Sequence, residues 1–246
     1  MVDSWMIVHP SAKNLVIILN TLANIADEAG LLITSKGVEI KALDPAKVAL
    51  VEIFMPSSAF MEYKVGGDLL IGLNLSSLVK VLSRPKKGDR MTIMANEEFH
   101  EITIEGRVKT RYKFRNIEVA STELPEINLE FGVTALALSS ALRDAIKELE
   151  DSDGIEFISE TSEYMLLRAL GLNAQVKLSK ISGSLLELNV SKPSKNVYDT
   201  DYLGRISDLL NVAEVVELRY GNEIPLSISF KIIDDTQVKY LLAPKT

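Results

Sequence analysis

The chain has 246 residues, a formal net charge of −7, 25% charged residues and 47% in the hydrophobic class. That composition describes a globular chain with enough apolar material for one large core or two ordinary ones. With no cysteine it has no disulfide framework, thiolate metal site or cysteine nucleophile, and its acidity argues against indiscriminate nucleic-acid binding, although charge can still be segregated.

The amino terminus, M-V-D-S-W-M-I-V-H-P, has no basic run ahead of an apolar core and is not expected to be a signal peptide. No apolar run approaches the ~18 residues expected of a membrane span. Residues 4–8 read as a first strand. Ser11 is then placed to cap a helix of about four turns, because Leu15, Ile18, Leu19 and Leu22 fall at helical spacing. Lys13, Asn20 and Asn24 lie on its opposite face. From Gly30 to Pro56, β-rich runs are punctuated by Ser35-Lys36-Gly37 and Asp44-Pro45, which predicts a three-stranded meander. A strand over 68–72 leads into a second helix. Asn74 caps it, Leu75, Leu78, Val79 and Leu82 form its apolar stripe, and Pro85 ends it. Lys80 and Arg84 lie one turn apart on its other side. Three alternating runs follow, with Met91 and Ile93, Ile102 and Ile104, and Tyr112 and Phe114 each facing one way.

Residues 117–131, I-E-V-A-S-T-E-L-P-E-I-N-L-E-F, show no helical period and no clean alternation, and Pro125 interrupts them. They read as a linker. Beyond it the plan returns. A strand over 133–138 precedes a helix with Leu142, Ala145, Ile146 and Leu149 on one side. A meander of four runs follows, then a second helix with Leu203, Ile206 and Leu210 as its stripe. Three strands close the chain, the first two joined by a hairpin turn at Gly221-Asn222. Two pieces also agree in sequence: G-L-N-L-S-S-L-V-K-V-L with D-T-D-Y-L-G-R-I-S-D-L-L, and M-T-I-M-A-N-E with V-E-L-R-Y-G-N-E. A repeat of this length is a duplicated domain. The expected fold class is α+β, with two similar domains, 1–116 and 132–246, joined by the linker. Each is an antiparallel sheet with two helices on one face.

Catalytic chemistry is not visible. His9 and His100 make no pair with a cysteine, and neither a phosphate-binding G-x-x-x-x-G-K-[ST] nor a G-x-G-x-x-G occurs. Ser77-Leu-Val-Lys80 matches S-x-x-K without its companion motifs. Asp151-Ser-Asp153-Gly154 with Glu160 has the look of a calcium loop, but its first ligand position would be Leu149. The pattern points to a binding or scaffolding protein with no catalytic residue, no metal and no cofactor.

Three stretches carry a resemblance: A-L-D-P-A-K-V-A-L-V in the first half, T-E-L-P-E-I-N-L in the linker, and the terminal K-Y-L-L-A-P-K. In that order and at those distances the chain resembles the DNA sliding clamps of the proliferating cell nuclear antigen family, archaeal members most of all. The longer acidic tail of some relatives is absent from this sequence. The resemblance implies the DNA clamp fold, with three chains in a ring of six domains, helices lining the hole and sheets forming the wall. It implies a processivity factor for replication and repair that encircles double-stranded DNA without reading its bases. It also implies recruitment of DNA polymerase, DNA ligase and flap endonuclease, loading by a clamp loader, no membrane partner, and a cytoplasmic, nucleoid-associated location, or a nuclear one in a eukaryote.

By the same resemblance, Lys13, Lys80, Arg84, Arg143, Lys147 and Arg205 face DNA, with Asp144 and Asp208 sharing those faces. Leu43, Val48, Leu124 and Pro125, together with Pro225, Leu241, Ala243 and Pro244, line an apolar hollow for a short partner peptide. Edge strands near Lys109, Arg111, Tyr112 and Phe114 of one chain, and near Val176, Leu178 and Lys180 of the next, close the ring. Homotrimer and heterotrimer stay open, as do two other readings. One is a specialised subunit that mainly recruits proteins and touches DNA little. The other is an enzyme with an unrecognised site.

Overall fold

The computed structural model describes residues 5–82, 85–119, 129–232 and 235–245. The chain forms two compact units, divided near mid-chain, with Ala46–Leu50 grouping with the second.

The first unit begins with β1 (Trp5–His9) and α1 (Ala12–Ala23). The hydroxyl of Ser11 accepts the Asn14 amide at 3.2 Å, the cap expected from the sequence. Leu15, Ile18, Leu19 and Leu22 are buried, so the stripe is a core face. At 12 residues the helix runs little over three turns, shorter than expected. The meander follows as β2 (Glu28–Ile33), β3 (Gly37–Leu43) and β4 (Ala49–Pro56), then β5 (Glu62–Lys64) and β6 (Leu69–Asn74). The three-residue β5 is too short and polar to show a period in sequence. After α2 (Leu75–Val81) come β7 (Arg90–Ala95), β8 (Phe99–Glu105) and β9 (Lys109–Arg115). These strands make two antiparallel sheets, in the orders β5-β1-β7-β8-β9 and β6-β2-β3-β4.

The second unit repeats this. Its elements are β10 (Val133–Leu138), α3 (Ser139–Glu148), β11 (Gly154–Ser159), β12 (Tyr164–Ala169), β13 (Gln175–Ser179), β14 (Leu185–Val190) and β15 (Ser194–Asp199). α4 (Thr200–Gly204), α5 (Ser207–Val212), β16 (Val215–Tyr220), β17 (Leu226–Lys231) and β18 (Gln237–Leu242) complete it. The sheet orders are β14-β10-β16-β17-β18 and β15-β11-β12-β13. Every pairing of the first unit has its counterpart here, strand for strand.

Several details differ from expectation. The nine described strands of each half divide between a five-stranded and a four-stranded sheet. The four-run meander over 155–190 breaks after three, because β14 leaves its neighbours and pairs with β10. β15 was missed, since S-K-N-V-Y-D alternates poorly. The single helix over 199–210 is two. Ile206 leaves the helical region (φ −98°, ψ 6°), and the Ser207 hydroxyl binds the Gly204 carbonyl at 2.6 Å in place of the continuing ladder. α2 stops at Val81, short of Pro85, because Leu82 is already extended. Gly221-Asn222 is not a two-residue hairpin. The loop runs from 221 to 225, with Glu223 left-handed, and the Asn222 side chain bridges to the Lys195 amide and the Pro193 carbonyl.

The second core centres on Phe157, with Tyr198 and Tyr220 edge-on at centroid separations of 5.4 and 5.8 Å. Burial pushes both phenols' pKa values upward. Each hydroxyl is satisfied, Tyr220 by Ser159 at 2.7 Å and Tyr198 by the Ile224 carbonyl at 3.0 Å.

Candidate nucleic-acid interface

The helices bury one stripe each and turn a polar face outward. In the first unit α1 packs on α2. Lys13 and Lys80 are exposed on them. Lys80 sits in the last turn of α2, where the helix dipole favours a cation. Asn74 caps that helix, its side chain accepting the Ser77 amide at 2.8 Å. Arg84 lies outside the described residues.

In the second unit α3 packs on α4 and α5. Leu142, Ala145, Ile146 and Leu149 are buried, which turns Arg143 and Lys147 outward. Arg143 forks onto the Asp144 carboxylate at 2.7 and 3.0 Å and donates to Asn211 at 2.9 Å. Arg205 pairs with Asp201 at 2.8 Å, one turn back, and its guanidinium lies 4.1 Å from the centre of the Tyr202 ring. Arg143, Lys147 and Arg205 line one open recess of about 650 Å³, with Lys245, Glu150, Asp153, Asp199 and Asp201. Both arginines are thus partly neutralised by their own carboxylates. Exposed pairs of this kind are worth only ~0–1 kcal/mol and can be exchanged for phosphate at little cost.

The apolar candidates are all half-exposed where described: Leu43, Val48, Pro225, Leu241, Ala243 and Pro244. The structure joins two of them directly, the Ala243 amide donating to the Val48 carbonyl at 2.8 Å within the second unit. Pro225 immediately precedes β17, Leu241 sits on β18 between two buried neighbours, and Leu43 ends β3 in the first unit. Leu124 and Pro125 lie outside the described residues. The edge candidates fall on strands that end their sheets, β9 and β13. On β9, Lys109 pairs with Glu105, Arg111 pairs with Glu101, and the Tyr112 and Phe114 rings lie 6.5 Å apart. Along β13, Val176 is half-exposed, with exposed Lys180 just beyond its end. Leu178 is only 3% exposed, turned into its own unit, so that it can offer a neighbour only backbone. Sequence reading missed Lys245 and Asp199. They are 46 residues apart, and no local pattern marks a pair so distant.

Among the described residues no cluster of three acidic, histidine or cysteine side chains could hold a metal, and no helix is long and apolar enough to cross a membrane.

Residues 10–131 match the N-terminal domain family of proliferating cell nuclear antigen. The chain is 35% identical over 243 residues to the DNA polymerase sliding clamp of Thermococcus sibiricus, covering 97% of each. It is 32% identical over 235 residues to DNA polymerase sliding clamp 1 of Aeropyrum pernix, covering 93% of this chain and 95% of that one. A subunit in the PCNA2–PCNA3 complex of Sulfolobus tokodaii superposes with a TM-score of 0.91 at 28% identity, over 98% of this chain and 99% of its own. PCNA of Thermococcus kodakaraensis gives 0.90 at 29% identity, over 98% and 100%. The chain belongs to the proliferating cell nuclear antigen family of DNA polymerase sliding clamps.

Proposed function

We propose that this chain is a sliding clamp subunit acting in replication, one part of a closed ring that encircles duplex DNA and holds it by topology, not by grip. The observation that carries this is the chain-long match of both halves to archaeal clamps, matched internally by the repeat of every strand pairing. Lys13, Lys80, Arg84, Arg143, Lys147 and Arg205 are the duplex-facing cations. Lys13, Lys80 and Lys147 are exposed, and Arg143 and Arg205 are half-exposed and partly self-neutralised, which suits weak, sequence-independent phosphate contact. Leu43, Val48, Leu124, Pro125, Pro225, Leu241, Ala243 and Pro244 form the peptide pocket for DNA polymerase, DNA ligase and flap endonuclease. The β9 and β13 edges join neighbouring subunits, and a clamp loader opens the ring. The complex of PCNA2 with PCNA3 in Sulfolobus tokodaii supports association with sister chains. On this reading the protein is non-enzymatic and works in the cytoplasm on the nucleoid.

Replacing Lys80 and Lys147 together by alanine tests the interface. At low salt the variant should bind duplex more weakly regardless of sequence. Its log K against log salt slope should be shallower by about 2, roughly one for each phosphate that is no longer neutralised. An unchanged slope removes these lysines from the interface and favours a subunit that recruits proteins with little DNA contact.

A further inference from the structure

The end of the chain touches both proposed sites of the second unit. Ala243 and Pro244, assigned above to the proposed peptide pocket, lie between two anchors onto α4. At one, the Tyr240 hydroxyl donates to the Tyr202 carbonyl at 3.0 Å. At the other, the Lys245 ammonium pairs with Asp199 Oδ2 at 2.9 Å and donates to the Asp153 carbonyl, while the Lys245 amide donates to the Val197 carbonyl at 2.8 Å. Gly154 leaves the space this needs. A Cβ there would stand 3.3 Å from Lys245 Cδ, 3.2 Å from Leu170 and 3.0 Å from Val197.

Asp199 serves two ends at once. Its Oδ2 holds Lys245 while its Oδ1 accepts the Asp201 and Tyr202 amides at 3.0 and 3.4 Å, capping α4. Burial raises its carboxyl pKa, but the Lys245 ammonium and those amides outweigh that and hold it below the ordinary value. α4 is five residues long. A helix so short has little stability of its own, so tertiary anchors set its position. It carries Tyr202, the ring beneath the Arg205 guanidinium.

We propose that the segment from Tyr240 to Lys245 is a coupling element, with Lys245 as a positioning residue. Through Asp199 and Tyr202 it sets α4, and so aims Arg205 at duplex phosphate. A client peptide seated against Ala243 and Pro244 and a duplex held at Arg205 then change each other's affinity by the same factor. This rests on the clamp reading above.

The test uses the full chain, assembled with sister subunits where it requires them, an end-blocked duplex at low salt, and a synthetic peptide with two aromatic anchors on one helical turn. Lys245→Met should weaken duplex binding roughly two- to fivefold, the range of a partly exposed ion pair. In an Arg205→Ala background the same substitution should do nothing further. Asp199→Asn separates positioning from general electrostatics. It keeps a good helix cap and makes the protein one charge less acidic, which by attraction alone would tighten duplex binding. Positioning predicts that it weakens binding, as Lys245→Met does. Peptide affinity should shift when duplex is added to wild type and stay constant in Lys245→Met. If Arg205→Ala weakens duplex binding but Lys245→Met does not, or if Lys245→Met weakens it equally in both backgrounds, the coupling is refuted and the clamp reading stands. If Arg205→Ala leaves duplex binding unchanged, the duplex-facing role of Arg205 fails, and the inference with it.

Discussion

His100 shows how a single buried group ties stability to pH. It lies on β8, 2% exposed, its ring stacked on Phe114 at 5.2 Å and its Nδ1 2.8 Å from Asn116 Oδ1. Its Nε2 is buried with no partner among the described residues. Burial lowers its pKa from the ordinary 6.5, more than the Asn116 contact raises it. The unfolded chain therefore takes up a proton near 6.5 that the folded chain refuses. The histidine's contribution is intact above that pH and is lost as pH falls from there toward the lower folded value. Urea unfolding midpoints from about pH 8 to about pH 5 should drop more steeply for wild type than for His100→Gln; parallel curves would show that His100 does not titrate this way. In the sequence the residue reads only as a histidine in a turn or at a strand edge. Its pairing with Asn116 depends on how β8 and β9 meet, which local pattern does not encode.

Among the elements, those with a strong local signature were legible. The buried stripes of α1 and α3, the caps at Ser11 and Asn74, and the first meander all follow from period and capping chemistry. Weak or competing signals hid the rest: three-residue β5, poorly alternating β15, and a helix divided where Ser207 takes up the Gly204 carbonyl. The root of the linker belongs here too. The Ile117 amide donates to the Gly72 carbonyl at 3.2 Å, extending the edge of β6 by an isolated bridge. Only glycine permits that approach, because a Cβ on residue 72 would fall 2.1 Å from the Ile117 carbonyl oxygen. Gly72→Ala should cost about 1–3 kcal/mol in urea unfolding and speed hydrogen exchange of the Ile117 amide. Unchanged exchange would mean that the bridge does not hold the linker in solution.

At the scale of the whole molecule the duplication was legible because both halves repeat the same order of apolar periods, and two segments keep similar residues. The division of each half into two sheets was not, since strand partners lie far apart in sequence and the pairing of β14 with β10 leaves no local trace. The cations proposed to face the duplex could be placed on helices from the sequence, but not their ion pairs. Arg143 and Arg205 carry their own counter-charges in Asp144 and Asp201, which tempers their pull on phosphate. On the proposed reading encirclement makes that tolerable, because a ring needs little affinity to stay on a duplex without ends. The most direct measurement is release from loaded DNA. The clamp, with whatever sister subunits complete it, is placed by its loader on a nicked circular duplex, freed of loader, and followed before and after a single cut linearises the circle. Encirclement predicts long retention on the circle and rapid loss once ends exist, restored by blocking them. Equal release from circle and line would contradict it.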